Sequence, residues 1–246
     1  MNSALRAELL KLRTSRTTLG PAAALLGTTS LAAVVHLLGF DARLVDQRAE
    51  QLGIILDIGV SMGLLFAAIA GMLAITGEFR YGTIRSTLVR QPQRARLLIA
   101  KAVWAAVVGA GLGALGAAYA VALAALILGG RGMDLQLDST DVTTLVAGAA
   151  LGGALFAQLG LSIGTMVRNQ VPVVVGALIW VLFIESLLRA GVPDIGKFAP
   201  GSLARAIAGQ SDVAVSSTPA AAALLATLSL VALAVGHLTF QRRDLP

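Results

Sequence analysis

The stretch AVWAAVVGAGLGALGAAYAVALAALIL, residues 102–128, decides the fold class of this chain. It contains no charged residue, and it is longer than the roughly 20 helical residues needed to cross the hydrocarbon layer of a bilayer. The alternating polarity of a membrane-spanning β-strand is absent from it. A segment in lipid must satisfy its own backbone hydrogen bonds, so the stretch predicts a transmembrane helix.

Further apolar stretches of similar length precede and follow this one. The composition agrees with a membrane protein, because 57% of the 246 residues are hydrophobic and 13% are charged. We therefore predict an all-α integral membrane protein with six transmembrane helices in a single transmembrane domain, residues 1–246. The predicted spans are residues 18–40, 54–75, 102–128, 142–167, 171–188 and 219–240.

Lys and Arg are distributed unequally between the two sides of this map. About two thirds of the 19 basic residues lie on the side of the chain ends. Basic loops stay in the cytoplasm, so both termini are predicted to be cytoplasmic and the net charge of +6 is read as a topology signal. Leu5, Leu9 and Leu12 share one helical face, which predicts an amphipathic interfacial helix before span 1. A basic anchoring flank is the alternative.

The connection between spans 2 and 3 reads GEFRYGTIRSTLVRQPQRARLLIAK, residues 77–101. Gly82 and Thr83 can begin a short helix there. Such a helix places Ile84 and Leu88 on one face, and two apolar residues on a basic helix outside the membrane suit docking into a partner. A solvated basic loop that follows the positive-inside rule is the alternative interpretation.

The string EFRYGTI at residues 78–84, with the following Thr87-Leu88 and the basic run of residues 96–101, resembles this connection in the ABC type-2 permeases. These are the membrane subunits of ATP-driven bacterial exporters. The ends ELLKLR (8–13) and FQRRD (240–244) are similar to that family as well. The resemblance implies a coupling helix that docks on a separate ATPase, with a second contact between spans 4 and 5. The docking residues it implies are Glu78, Arg80, Tyr81, Gly82, Thr83, Ile84, Arg85, Leu88 and Arg168.

The resemblance also implies the function and the partners. The chain would be the permease subunit of an ABC exporter in the bacterial cytoplasmic (plasma) membrane, moving a drug-like, peptide or lipid cargo, as in multidrug or antibiotic resistance. A second permease copy or paralogue and two P-loop ATPase subunits, which bind ATP and Mg²⁺, would complete it. The sequence contains no G-x-x-x-x-G-K-[ST] loop, so ATP binding of that kind is expected on the partner and no cofactor on this chain.

Three ionisable residues, His36, Asp57 and Glu185, lie near the external ends of predicted spans. Charges in membrane spans usually face a cavity or a partner, so they form a candidate outer gate. Alternatively they reach interfacial water, and Arg189 stands one turn from Glu185 for an ion pair. The same three residues would form the relay of a proton-coupled secondary transporter, which is the alternative function. Coupling sites of such transporters usually lie deeper, near the midplane.

Glycines recur on spans 3 and 4 at small-xxx-small spacing, which predicts close helix packing. GLGALG at residues 111–116 fits the dinucleotide-binding pattern by letter, but no strand precedes it. Gln158 is expected to form a hydrogen bond between helices. The packing glycines are Gly109, Gly113, Gly148, Gly152, Gly160 and Gly164.

The chain has two histidines and no cysteine, so it has no H-E-x-x-H or thiolate metal site. It also has no nucleophile and base constellation, so it is not expected to be an enzyme.

Overall fold

The computed structural model describes residues 19–39, 56–83, 93–130, 132, 134–167, 169–210 and 217–242. Within these ranges the chain forms helices and no strand. In chain order the helices are α1 (Leu19–Gly39), α2 (Leu56–Arg80), α3 (Arg94–Gly130), α4 (Ser139–Val167), α5 (Gln170–Gly191), α6 (Pro193–Gly196), α7 (Pro200–Ile207) and α8 (Thr218–Arg242). The predicted N-terminal interfacial helix lies outside the described residues.

Five of these helices, namely α2, α3, α4, α5 and α8, are long and apolar enough to cross a membrane. α1 contributes a shorter apolar stretch, Leu19–Val35. The predicted all-α membrane class is therefore confirmed, and the chain is a multi-pass helical membrane protein.

Two helices extend beyond the apolar stretches that predict them, at the same end of the bundle. α2 continues past residue 75 to Arg80, and α3 begins at Arg94 instead of residue 102. Gly82 follows α2 with φ of 67°, a left-handed conformation that glycine adopts without strain at a helix end. Gly82 thus ends α2, and the short helix predicted to begin at Gly82 and Thr83 falls on residues 84–92, outside the described part of the chain.

α2 lies at the centre of the bundle and contacts α1, α3, α4, α5 and α7. Small residues let the backbones approach closely. A Cβ added at Gly113 of α3 would overlap the Ala149 carbonyl of α4, and one at Gly160 would overlap the Ala68 carbonyl of α2. Lipid offers apolar side chains as good an environment as a protein core, so tight packing and hydrogen bonds hold such helices together.

Polar side chains add hydrogen bonds between the apolar helices. Gln158 of α4 donates to the Ala102 carbonyl of α3 at 2.7 Å, as its position in span 4 predicts. The hydroxyls of Ser30 in α1 and Tyr119 in α3 lie 2.7 Å apart. These bonds fix the rotation of neighbouring helices that have few other polar groups.

α5 contains one turn of π-helix, Trp180–Ile184, in which the Glu185 N–H bonds to the Trp180 carbonyl. Val173, Ala177, Val181 and Glu185 recur every four residues on the face that packs inward. In a regular α-helix such a stripe rotates by about 40° at each step, because one turn takes 3.6 residues. The wider π turn reduces this drift and keeps Glu185 on the inner side.

After α5 the chain folds back into the bundle. α6 and α7 are short helices that lie between the fifth and sixth predicted spans. Pro200 occupies the first turn of α7, where its missing N–H costs nothing. α7 is buried against α4 because Gly148 has no side chain: a Cβ there would overlap the Ile207 carbonyl.

Candidate functional site

Charged side chains converge at both ends of the bundle. We call one end the basic end and define it by Arg80, Arg94 and Lys101. We call the other the strap end and define it by Asp57, Glu185 and the short helix α7. Each end joins helices that are far apart in the chain.

At the basic end, an ion pair joins the last turn of α2 to α3. The Lys101 ammonium lies 2.7 Å from Glu78 Oε1 and also donates to the Ala74 carbonyl at 2.8 Å. Lys101 is 1% exposed and Glu78 is 9% exposed. A buried ion pair needs such additional hydrogen bonds to offset desolvation. The pair fixes the two helices on either side of the connection of residues 84–92.

Arg80 links the same end of α2 to the start of α5. Its guanidinium donates to Gln170 Oε1 at 3.2 Å and lies 5.7 Å from the ring centroid of Tyr81. Tyr81 is 74% exposed, in the turn that follows α2. The two segments that the resemblance assigns to ATPase docking are therefore neighbours in space.

Arg94 links the start of α3 to the last turn of α8. Its guanidinium donates to the carbonyls of Phe240 and Gln241, both at 3.1 Å. A cation at a helix C-terminus satisfies unpaired carbonyls and interacts favourably with the helix dipole. The Phe79 and Phe240 rings meet edge to face, with centroids 6.5 Å apart. The helix ends on both sides of the connection, namely the end of α2 and the start of α3, thus contact other helices.

The predicted docking residues divide into three groups. Arg80, Tyr81, Gly82 and Thr83 are exposed at or just after the end of α2. Glu78 is buried with Lys101, so it holds the helix end and does not present its carboxylate to a partner. The remaining positions lie outside the described residues, namely Ile84, Arg85, Leu88 and Arg168.

At the strap end, Arg205 of α7 forms an ion pair with Asp57 at the start of α2. Arg205 Nη1 lies 3.1 Å from Asp57 Oδ1 and 3.4 Å from Oδ2. Ser61 donates to the same carboxylate at 3.3 Å. Arg205 is 6% exposed, so the protein surrounds its guanidinium.

Glu185 holds the other end of α7. Its carboxylate accepts a hydrogen bond from the Ser202 N–H at 2.9 Å, in the first turn of α7. A Cβ added at Gly201 would lie 2.6 Å from both carboxylate oxygens, so glycine gives the carboxylate access to this helix end. A carboxylate at a helix N-terminus interacts favourably with unpaired N–H groups and the helix dipole. α7 is consequently held at both ends by charge.

The three predicted gate residues have different outcomes. Asp57 and Glu185 lie at the same end of the bundle, as their common depth predicts, and both contact α7. The expected pair of Glu185 with Arg189 does not form: Glu185 turns inward to Ser202, and Arg189 donates to Ser186 at 3.3 Å. The side chain of His36 lies outside the described part of the chain.

The predicted packing glycines all lie at helix contacts. An added Cβ would meet the neighbouring helix at each of Gly109, Gly113, Gly148, Gly152, Gly160 and Gly164. By contrast, nothing lies within 4 Å of a Cβ added at Gly111.

Two buried cations were missed from the sequence. Lys101 is 1% exposed and Arg205 is 6% exposed, and neither was singled out as a buried charge. The pattern PGSLARAI (200–207), with proline at the first position and apolar residues three and four apart, was the available signal for a buried helix around Arg205.

Within the described ranges, no group of three or more His, Cys, Asp or Glu side chains is placed to hold a metal ion.

Comparison with known proteins leaves the family open. No protein-family model matches the chain, and no curated protein matches it.

Proposed function

We propose that this chain is the membrane-spanning permease subunit of an ABC exporter and that a separate P-loop ATPase drives it. The observation that carries the proposal is the set of contacts that hold the two helix ends on either side of residues 84–92. The last turn of α2 is joined to α3 by the ion pair of Glu78 with Lys101, and to α5 by the hydrogen bond of Arg80 with Gln170. The first turn of α3 is joined to α8 by the hydrogen bonds of Arg94.

Such contacts suit a docking element that transmits force. A partner that pushes on a free loop moves only the loop, whereas a push on this connection reaches α2, α3, α5 and α8 together. Arg80, Tyr81 and Thr83, which belong to the EFRYGTI string, are exposed where the partner would make contact. ATP-driven movement of the partner would then shift the bundle between two packed arrangements.

The strap helix α7 would close the opposite end of the path. Its ends are held by two interactions, Glu185 with Ser202 and Asp57 with Arg205. Breaking both would release α7 from α2 and α5 in an outward-open state. The outer gate is thus proposed to consist of α7 with Asp57 and Glu185.

The proposal includes a topology. With α1 as the sixth span, both chain ends and the connection of residues 84–92 lie in the cytoplasm, in agreement with the distribution of Lys and Arg. A second permease copy or paralogue and two ATPases complete the exporter in the bacterial plasma membrane. An apolar path between the permeases would suit a drug-like, peptide or lipid cargo.

Purification of the tagged chain from its native membrane tests this function. The wild-type protein is expected to co-purify with a P-loop ATPase, and Ile84→Asp and Leu88→Asp are each expected to lose it. Ile195→Asp is the matched control, because Ile195 is 61% exposed in α6 at the opposite end. Gel filtration of each variant checks folding. A folded wild-type protein that brings down no ATPase contradicts the proposal, as does equal loss from the Ile195 control.

A further inference from the structure

An apolar groove runs between α2, α4, α5 and α8. Its volume is about 450 Å³, and its described lining contains no charged residue. The lining residues on α5 extend from Pro172 to Val181, which corresponds to about 14 Å at 1.5 Å per residue. One leaflet of the hydrocarbon layer is about 15 Å thick, half of the roughly 30 Å total. The groove is therefore as long as the path of one acyl chain.

Beside the groove, at the basic end, lies a cleft whose described lining combines Arg80, Asn169 and Gln170 with apolar side chains. The cleft has a volume of about 530 Å³, and Val167 lines both spaces. Arg80 stands in the cleft, where it donates to Gln170 Oε1 at 3.2 Å in an exposed position. The described residues that line the cleft include no acid, and they are Phe79, Arg80, Val167, Asn169, Gln170 and Val171.

We propose that the adjoining cleft and groove bind one anionic phospholipid, with its phosphate at Arg80 and one acyl chain against Trp180. A guanidinium presents several N–H groups in the geometry that phosphate oxygens accept. The carboxamides of Asn169 and Gln170 supply further polar contacts beside it. A soluble phosphate would leave the groove unused, and an apolar molecule would leave Arg80 unused. An anionic lipid uses both, and the site does not depend on ATP coupling.

Trp180 provides a native reporter, because it lines the groove and is 39% exposed. The chain has two tryptophans. The other, Trp104, is 7% exposed, and among the described residues its indole N–H has no hydrogen-bond partner, so Trp104→Phe is a mild substitution. Bromine atoms on a lipid chain quench tryptophan on contact. Quenching of Trp180 therefore reports which lipid occupies the groove.

The experiment reconstitutes Trp104→Phe protein in mixtures of phosphatidylglycerol and phosphatidylethanolamine, with one lipid brominated in mid-chain at a time. At equal mole fraction, phosphatidylglycerol is expected to occupy the groove roughly threefold more than phosphatidylethanolamine, the preference that one exposed charge contact supports. Arg80→Gln should abolish the preference. The matched control is Arg96→Gln, which removes an exposed cation of α3 at the same end and should retain it.

Three outcomes would overturn the proposal. Equal quenching by the two lipids would remove the selectivity for an anionic headgroup. Equal loss of the preference in Arg80→Gln and Arg96→Gln would assign it to general surface charge. No quenching by either lipid in reconstituted, folded protein would mean that protein covers the groove, as a second copy of this chain would.

Discussion

Lys101 shows how this bundle accommodates a charge that hydropathy alone assigns to solvent. Its ammonium is buried against the Glu78 carboxylate and the Ala74 carbonyl. The helical extension of α2 beyond residue 75 brings the Glu78 carboxylate to it. Replacing such a pair by apolar residues is often neutral, whereas removing one partner leaves an uncompensated buried charge.

Removal of one member of the Glu78–Lys101 pair is expected to destabilise the protein. Lys101→Met should lower the free energy of unfolding by about 3 kcal/mol, because the Glu78 carboxylate loses its buried cation. The double variant Glu78→Leu, Lys101→Met should recover most of that loss. Thermal unfolding in detergent measures both effects. Additive losses in the double variant would contradict the coupling.

The contacts of Glu185 and Arg205 are expected to control access to α7. Ser202 is fully buried and the chain has no cysteine, so Ser202→Cys gives a single, nearly isosteric thiol. It should react slowly with a water-soluble maleimide. Adding Glu185→Leu or Arg205→Met should accelerate labelling about tenfold or more, since each removes a charged contact at one end of α7.

Ile195→Cys is the control for this measurement, because Ile195 is exposed in α6 and its labelling should not respond to those variants. Unchanged labelling of Ser202→Cys in both variants would show that α7 stays in place without its charged contacts.

At the scale of elements, α3 carries glycines on two faces. Gly109 and Gly113 meet the backbone of α4, and Gly116 meets the backbone of α2. Gly111 faces open space in the described structure. One helix thus packs closely on two neighbours through three glycines, while Gly111 has no close neighbour among the described residues.

Alanine substitutions on α3 should separate these two faces. Gly113→Ala is expected to destabilise the protein by about 1–3 kcal/mol, because the added methyl group overlaps the Ala149 carbonyl. Gly111→Ala should be neutral or stabilise the helix by up to about 1 kcal/mol. Thermal unfolding of the two variants in the same detergent compares them directly. Equal effects would contradict the packing role.

At the scale of the whole molecule, the two ends of the bundle carry different groups. The basic end has exposed Arg80 and Tyr81, and the strap end has the buried α7 and the exposed α6. Five membrane-length helices separate them. The proposed topology assigns the basic end to the cytoplasm and the strap end to the exterior.

Cysteine labelling in oriented membrane vesicles should reveal this arrangement. Tyr81 is 74% exposed and Ile195 is 61% exposed, so Tyr81→Cys and Ile195→Cys give one accessible thiol at each end. In right-side-out vesicles, an impermeant maleimide should label Ile195→Cys and spare Tyr81→Cys. Inside-out vesicles should give the reverse. Labelling of both from one side would contradict the topology.

By itself, the sequence determined the class of this protein, the approximate helices and several local contacts. An uncharged run as long as the bilayer is thick has one way to satisfy its backbone in lipid, so the helices could be read from composition and length. Glycine spacing also predicted close helix packing correctly, and the isolated Gln158 predicted a hydrogen bond between helices correctly. Both predictions were possible because helical periodicity decides which residues share a face.

Only the tertiary structure decided which charges meet. Arg205 and Asp57 are 148 positions apart, and Lys101 meets Glu78 across a connection of the chain. Glu185 had a plausible local partner in Arg189, but the π turn and the return of α7 gave it Ser202 instead. The reason is physical: periodicity reports which face of a helix a residue occupies, whereas the neighbour of that face is set by how distant helices pack.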